Sequence, residues 1–237
     1  MHYKPFETYS MKKLLYLLFA MSVATGLNAC SPNDDPTNDS STETPKTPGN
    51  PDPEPDPTPN PDPDPTTGKT LIVYYSFTNH VHTIANDLRT QIEADVVRVE
   101  PAEKGLDYAA NNYAIGSALI QTIRNNPNDA SSYPAIDPVE VRFEEYNTII
   151  VATPLWWSNM AAPLQTFLFT YAGQMADKRI GLIVSSASSG ISGVESDARR
   201  LISDGNFLTP SLWIRSAQTS NCHSMIMEWL EDIGYTK

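Results

Sequence analysis

From Lys69 onward, apolar residues fall into two alternating kinds of run. Five are short and unbroken: TLIVYY (70–75), DVVRVE (95–100), TIIVA (148–152), RIGLIV (179–184) and LWIRS (212–216). Between them lie amphipathic stretches at 81–92, 107–124, 161–172, 193–203 and 221–233. The short runs predict strands, and their lack of in/out alternation predicts strands covered on both faces. The longer stretches predict helices, each with one apolar stripe to bury. Strand and helix alternating in this way predict an α/β three-layer sandwich, a doubly wound five-stranded parallel sheet of order 2-1-3-4-5 with helices on both faces. Ligands of such sheets bind beyond the carboxyl ends of the strands, where the winding reverses beside the first strand. Residues 125–138, NNPNDASSYPAIDP, break the alternation with three prolines and predict a long surface loop.

Ahead of this domain the pattern changes twice. Met11 to Cys30, MKKLLYLLFAMSVATGLNAC, pairs a basic start (Lys12, Lys13) with an apolar core and a small-residue cleavage site ending in Cys30. The apolar run is shorter than the roughly 20 residues that span a bilayer. It resembles the lipobox of bacterial lipoproteins, in which the cysteine becomes the lipid-bearing N-terminus. That resemblance implies lipidation of Cys30, attachment to a membrane through the lipid, and a place in the cell envelope, on the periplasmic or surface side of the outer membrane. From Ser31 to Thr67 the chain is almost wholly Pro, Asp, Asn, Thr, Ser and Glu, with nothing to bury, so it predicts an extended, disordered spacer. The expected organisation is a lipoprotein signal peptide over 1–30, a Pro/Asp-rich linker over 31–68 and one folded domain over 69–237.

Composition refines this picture in two respects. The net charge of −12 argues against a nucleic-acid partner. Nine acidic residues in the spacer, against Lys46 alone, account for most of that charge and leave the folded part mildly anionic. If Cys30 carries lipid, Cys222 is the one thiol left, so no internal disulfide can form. Cys222 is expected to be a small core residue on the last helix.

Three segments follow strand ends at the sheet's carboxyl edge and are the candidate site. The first, Ser76, Phe77, Thr78, Asn79, His80 and Val81, joins strand one to a helix, whose N-terminus suits a phosphate. The second, Thr153, Pro154, Leu155, Trp156, Trp157 and Ser158, is read as a loop after strand three. Two adjacent tryptophans there suggest that one packs into the core while the other lies over a flat conjugated ligand. The third, Ser185 to Gly193 after strand four, with Ser188, Ser189 and Gly190 as its candidate contacts, offers small residues that let backbone amides approach a ligand. His80 and His82 could start a metal site, but His2 and His223 are poorly placed to complete one. The serines at 188–192 do not meet the Gly-x-Ser-x-Gly pattern of a hydrolase.

In order and spacing, SFTNHVHTIA, ATPLWWSNMAAPLQTFL, SSASSGISGVESDARRLI and LWIRSAQTSNCHSMIMEWL resemble the short-chain flavodoxin-like proteins that bind FMN. The resemblance spans essentially all of 69–237. It implies that the first segment holds the FMN phosphate, that the second lies along the isoalloxazine with Trp156 or Trp157 stacked on it, and that the third closes the other side. The family's first loop usually reads Ser/Thr-x-Thr-Gly-Asn-Thr. Here Ser76 and Thr78 remain, while Asn79, His80 and Val81 replace the last three. Asn tolerates positive φ and could preserve the turn. Val81 removes a hydroxyl that would meet the phosphate, and His80 or His82 could supply an N–H instead. FMN binding weaker than typical is therefore expected. The implied activity is electron transfer, or quinone-type reduction of a small molecule, with a redox partner the sequence does not identify and no side chain required as acid or base. The alternative is a non-catalytic surface lipoprotein that keeps the fold without FMN.

Overall fold

The structure, a computed structural model, describes residues 68–235. The signal-like segment, Cys30 and the spacer lie outside the described residues.

Each expected element is present. The strands are β1 (Lys69–Tyr74), β2 (Ala94–Arg98), β3 (Tyr146–Trp156), β4 (Asn159–Met160), β5 (Arg179–Ser186), β6 (Asn206–Phe207) and β7 (Leu212–Arg215). The helices are α1 (His80–Gln91), α2 (Ala110–Asn125), α3 (Ala162–Tyr171), α4 (Ser192–Leu201) and α5 (Cys222–Asp232). All pairings along the path β2-β1-β3-β5 are parallel, and β6 and β7 both pair parallel with β5 at its far edge. The sheet thus has the expected order 2-1-3-4-5, with the fifth position divided between two short strands. Chain connectivity explains the division: β6 pairs with the start of β5 at Arg179 and Ile180, and β7 with its end from Ile183 to Ser186.

The sheet separates two apolar layers. On one side Leu71, Val73, Ile149, Val151, Leu182 and Val184 meet residues of α2, α3 and α4, with Phe167 fully buried. On the other, Ile72, Ile150 and Ile183 meet Val81, Ile84 and Leu88 of α1 and Ile226 and Trp229 of α5. Strand alternation assigns each residue to its layer, so burial on both faces accounts for the unbroken apolar runs. Cys222 is buried at the start of α5, and burial raises its thiol pKa, which keeps it a protonated packing group. No helix among the described residues is long and apolar enough to cross a membrane.

Two expectations need correction. The stretch after strand three is not an open loop: β3 continues to Trp156 and folds back as a hairpin, pairing Leu155 with Met160 and Trp156 with Asn159. Its two turn residues, Trp157 (φ 47°) and Ser158 (φ 65°), both occupy the left-handed region, as a two-residue type I′ turn requires. The 125–138 segment is also more ordered than a free surface loop. Tyr133 is buried, stacks on Phe169 of α3 at 4.2 Å, and donates its hydroxyl hydrogen to the Pro127 carbonyl at 2.6 Å.

Gly193 in the first turn of α4 explains how the hairpin tip can sit where it does. A Cβ at that position would stand 2.0 Å from the Ser158 carbonyl oxygen. Gly193→Ala must therefore push the turn away from α4. It is expected to cost about 1–3 kcal/mol, as other overpacking substitutions do, read as a lower denaturant midpoint at unchanged m-value.

Candidate functional site

At the carboxyl ends of β1, β3 and β5 the sheet opens into a cleft of about 320 Å³, large enough for a cofactor-sized ligand. The first segment contributes Ser76, Phe77, Thr78, His80 and Val81. Asn79 caps α1 in the left-handed conformation (φ 65°, ψ −6°), the role that its tolerance of positive φ permits, and it does not line the cleft. Ser76, buried beneath the turn, accepts the His82 N–H at 3.1 Å and so occupies one first-turn amide. The amides of His80 and Val81 precede the first intrahelical acceptors and remain available to an anion. The His82 ring is engaged elsewhere, with Nδ1 2.7 Å from the Tyr74 hydroxyl and Nε2 3.0 Å from Asn86 Nδ2. Among the described residues no group of three His, Cys, Asp or Glu side chains is placed to hold a metal ion.

The second segment contributes Pro154, Leu155, Trp156 and Trp157. The two tryptophans divide the work between core and cleft. Trp156 is 8 % exposed and packs by ring edges against Tyr75 and Phe77, with Tyr108 tilted on it at 5.0 Å. Trp157 is 40 % exposed. Gly116 of α2 leaves room for it, since a Cβ there would stand 3.0 Å from the indole. Thr153 is fully buried, donates to the Pro154 carbonyl at 2.9 Å and braces the hairpin without reaching the cleft, and Ser158 lies at the hairpin tip outside it.

The hairpin is held by alternating charged and polar groups. Arg124 donates to the Trp157 carbonyl and, at 2.8 Å, to Asn159 Oδ1. Asn159 Nδ2 (2.8 Å) and the Met160 N–H (3.0 Å) donate to one oxygen of the buried Asp197, whose other oxygen takes Arg200 at 3.3 Å. Arg200 also donates to Gln165 Oε1 at 3.0 Å, and Gln165 Nε2 returns to the Met160 carbonyl at 2.8 Å. Two residues at unfavourable φ persist because their neighbours are fixed from several sides.

The third segment meets the cleft at its start. Ser185, Ser186 and Ala187 line it, joined by Ser216, whereas Ser188, Ser189 and Gly190 are exposed and lie outside it. Ser186 is satisfied, taking the Trp213 indole N–H at 2.8 Å and donating to the Ser189 carbonyl at 2.7 Å. Ser185 Oγ has no hydrogen-bond partner, although its residue is 4 % exposed.

Sequence reasoning missed a fourth wall made of Tyr108, Tyr113 and Gly116. Burial pushes the Tyr75 and Tyr108 phenols above their ordinary range, so both stay protonated. Tyr113 follows Asn111 and Asn112 in a left-handed turn and is 49 % exposed, with its ring edge toward Trp157 at 6.5 Å. The available signal was the Asn-Asn pair, the residues that most readily take positive φ.

Comparison with known proteins agrees with this architecture. The sequence profile of the flavodoxin family matches residues 69–233. Among solved structures, a candidate flavoprotein from Bacteroides eggerthii DSM 20697 superposes with a TM-score of 0.57 at 20 % identity, covering 71 % of this chain and 99 % of the other. One from Bacteroides uniformis ATCC 8492 gives 0.55 at 22 % identity, covering 69 % and 98 %. A flavoprotein from Lactobacillus acidophilus NCFM, solved in complex with FMN, gives 0.52 at 20 % identity, covering 66 % and 99 %.

Proposed function

The chain belongs to the flavodoxin family, and from that premise we propose that its cleft holds FMN and that the protein works in electron transfer or quinone-type reduction of a small molecule at the cell envelope. The observation that carries this reading is the pairing, in one cleft, of the free first-turn amides of α1 with a partly exposed indole at Trp157. The first offers a hydrogen bond to a polar ligand atom and the second a flat apolar face, the two kinds of contact a flavin needs. When bound, FMN supplies the electron transfer itself. The chain's residues bind and orient it: the α1 amides and Thr78 at the phosphate, Trp157 and Leu155 against the ring. Trp156, Tyr108 and Phe77 form an apolar wall that excludes water. No side chain is assigned as an acid or base.

The test is the visible spectrum of the full-length protein purified in mild detergent, before and after incubation with FMN and desalting. Flavin bands that survive desalting are expected. A colourless protein that neither quenches nor retains added FMN overturns the reading and favours the alternative of a binding module that has lost the cofactor. Anchoring through Cys30 belongs to the same proposal, supported by the lipobox-like Leu27-Asn28-Ala29-Cys30. Cys30→Ser is expected to abolish incorporation of radiolabelled palmitate and release the protein from the membrane fraction.

A further inference from the structure

A second cavity, of about 180 Å³, lies beside the cleft, beyond the carboxyl ends of β1 and β2. It shares Ser76, Phe77 and Tyr108 with the cleft, and its own walls are Tyr75, Glu100, Pro101 and the turn from Glu103 to Leu106. That outer wall is fixed from several sides. Pro101 bridges to Ile136, the Ala102 N–H donates to the Ala135 carbonyl at 3.1 Å, and the Asp137 N–H donates to the Glu100 carbonyl at 2.9 Å. Lys104 ties the turn down through Asp137 at 2.5 Å and the Pro101 carbonyl at 2.8 Å. The cavity is therefore preformed by the fold.

Two phenols line it. Tyr75 is 3 % and Tyr108 4 % exposed, and both rings pack on Trp156, with centroids 5.7 and 5.0 Å away. The other buried tyrosines each engage their hydroxyl: Tyr74 with His82, Tyr133 with the Pro127 carbonyl and Tyr146 with Asp95. Those of Tyr75 and Tyr108 have no hydrogen-bond partner among the described residues, against the general rule that buried polar groups are paired. Their oxygens are not sealed in either. Among the described residues Ser185 Oγ is the one side-chain polar atom both enclosed and unpartnered, so the two phenol oxygens open onto the space they line. Burial raises both phenols most, with the Tyr108 phenol and the Glu100 carboxylate adding to it for Tyr75 and the Glu103 carboxylate for Tyr108, so both keep their hydrogens at neutral pH.

The lining decides what fits. Glu100 pairs with Arg98 at 2.6 Å and Lys104 with Asp137, whereas Glu103 has no ion-pair partner among the described residues and leaves the rim negative. An anion would face Glu103 and exchange its hydration for two neutral donors, which disfavours it. Carboxylates are the stronger acceptors, so a ligand N–H goes to Glu103 and the phenols are left to donate. The rings of Phe77, Tyr75 and Tyr108, with Pro101 and Leu106, supply apolar walls. The volume lies below the roughly 300 Å³ at which cofactor sites begin, and suits one ring rather than three.

We propose that this cavity is a second ligand site, distinct from the cleft, for an uncharged single-ring aromatic carrying a carbonyl oxygen, with the Tyr75 and Tyr108 hydroxyls donating to that oxygen and Glu103 taking an adjacent N–H. The site does not depend on what the cleft holds. Its occupant and a ligand in the cleft are separated by Phe77 and Tyr108, whose rings meet edge to face at 5.8 Å.

Benzamide and benzoate are the probes, alike in size and shape and different in charge. Their binding to the full-length protein in mild detergent is followed by saturation-transfer NMR and by quenching of tryptophan fluorescence, first without flavin and then with FMN added. Benzamide should bind about two- to fivefold more tightly than benzoate, and Glu103→Gln should close most of that gap. Tyr75→Phe keeps the ring and removes only the hydroxyl. It should weaken benzamide about two- to tenfold and leave FMN affinity within about twofold. Leu106→Trp should fill the cavity and abolish benzamide binding without loss of FMN. No benzamide binding to the wild type, benzoate bound as tightly as benzamide, or an unchanged affinity in Tyr75→Phe overturns the proposal. So does displacement of benzamide by FMN, because the cavity is then part of the cleft. A protein that binds benzamide in this pattern and takes up no flavin supports the proposal and overturns the cofactor reading alone.

Discussion

Trp157→Ala is expected to weaken FMN binding by about ten- to a hundredfold, the range that stacking on one aromatic face supplies, while leaving the unliganded protein's unfolding midpoint nearly unchanged. Trp156→Ala is expected to do the reverse in order of cause. It should destabilise the apoprotein by about 3–5 kcal/mol and lower flavin affinity only as a consequence. The difference follows from position. The Trp157 indole is 40 % exposed, lying against Gly116 and edge-on to Tyr113 and Trp156, so its removal opens a notch to solvent rather than an enclosed cavity. Trp156 is 8 % exposed at the centre of an aromatic group with Tyr75, Phe77 and Tyr108, so truncation empties the floor of the cleft. The two effects separate when urea unfolding of apoprotein and quenching of flavin fluorescence are measured on the same variants. If Trp157→Ala binds FMN like the wild type, the exposed indole is not the stacking face.

The asymmetry between the tryptophans also shows what the sequence could and could not reveal. That one of the pair would pack and the other stay partly exposed was readable from two large aromatics at a strand end. Which one was not, because the answer depends on the hairpin register that pairs Leu155 with Met160 and Trp156 with Asn159. The hairpin itself carried no local signal. Tight two-residue turns are usually announced by Asn-Gly or Gly at the tip, whereas here the tip is Trp-Ser and the glycine that permits it, Gly193, belongs to α4. A turn enforced from another element leaves no trace in its own residues. The five core strands were legible for the opposite reason, since a strand covered on both faces must be apolar throughout. β6, with two residues and one exposed side chain, has too little pattern to be seen. The apolar run RIGLIV predicted a strand ending at Val184, whereas β5 takes in Ser185 and Ser186, the start of the third segment. Ser188, Ser189 and Gly190 are exposed and lie outside the cleft, because the strand that leads to them runs two residues longer than its apolar pattern.

The hairpin's dependence on remote residues makes Asp197 the other decisive position. Asp197→Ala is expected to cost about 3 kcal/mol, the low end for breaking a buried charged pair, because Arg200 keeps some access to water. Its side chain is 10 % exposed against 32 % for Arg200. The loss leaves the Met160 N–H without its acceptor inside the hairpin and frees Asn159, so the segment no longer holds Trp157 and Ser158 at positive φ. Flavin affinity should therefore fall together with stability, unlike in Trp157→Ala, and added FMN should recover part of the thermal midpoint through linkage. Arg124→Ala probes the same turn from the exposed side. It removes the donor to the Trp157 carbonyl and to Asn159 without opening a buried charge. Its stability cost should stay near that of a surface substitution, within about 0.5 kcal/mol, while the release of the turn lowers FMN affinity measurably. Thermal unfolding with and without FMN distinguishes these outcomes. An Asp197→Ala protein that unfolds early yet binds FMN with wild-type affinity would show that the flavin face does not depend on this lock, and the stacking role would then pass to the wall formed by Tyr108 and Tyr113.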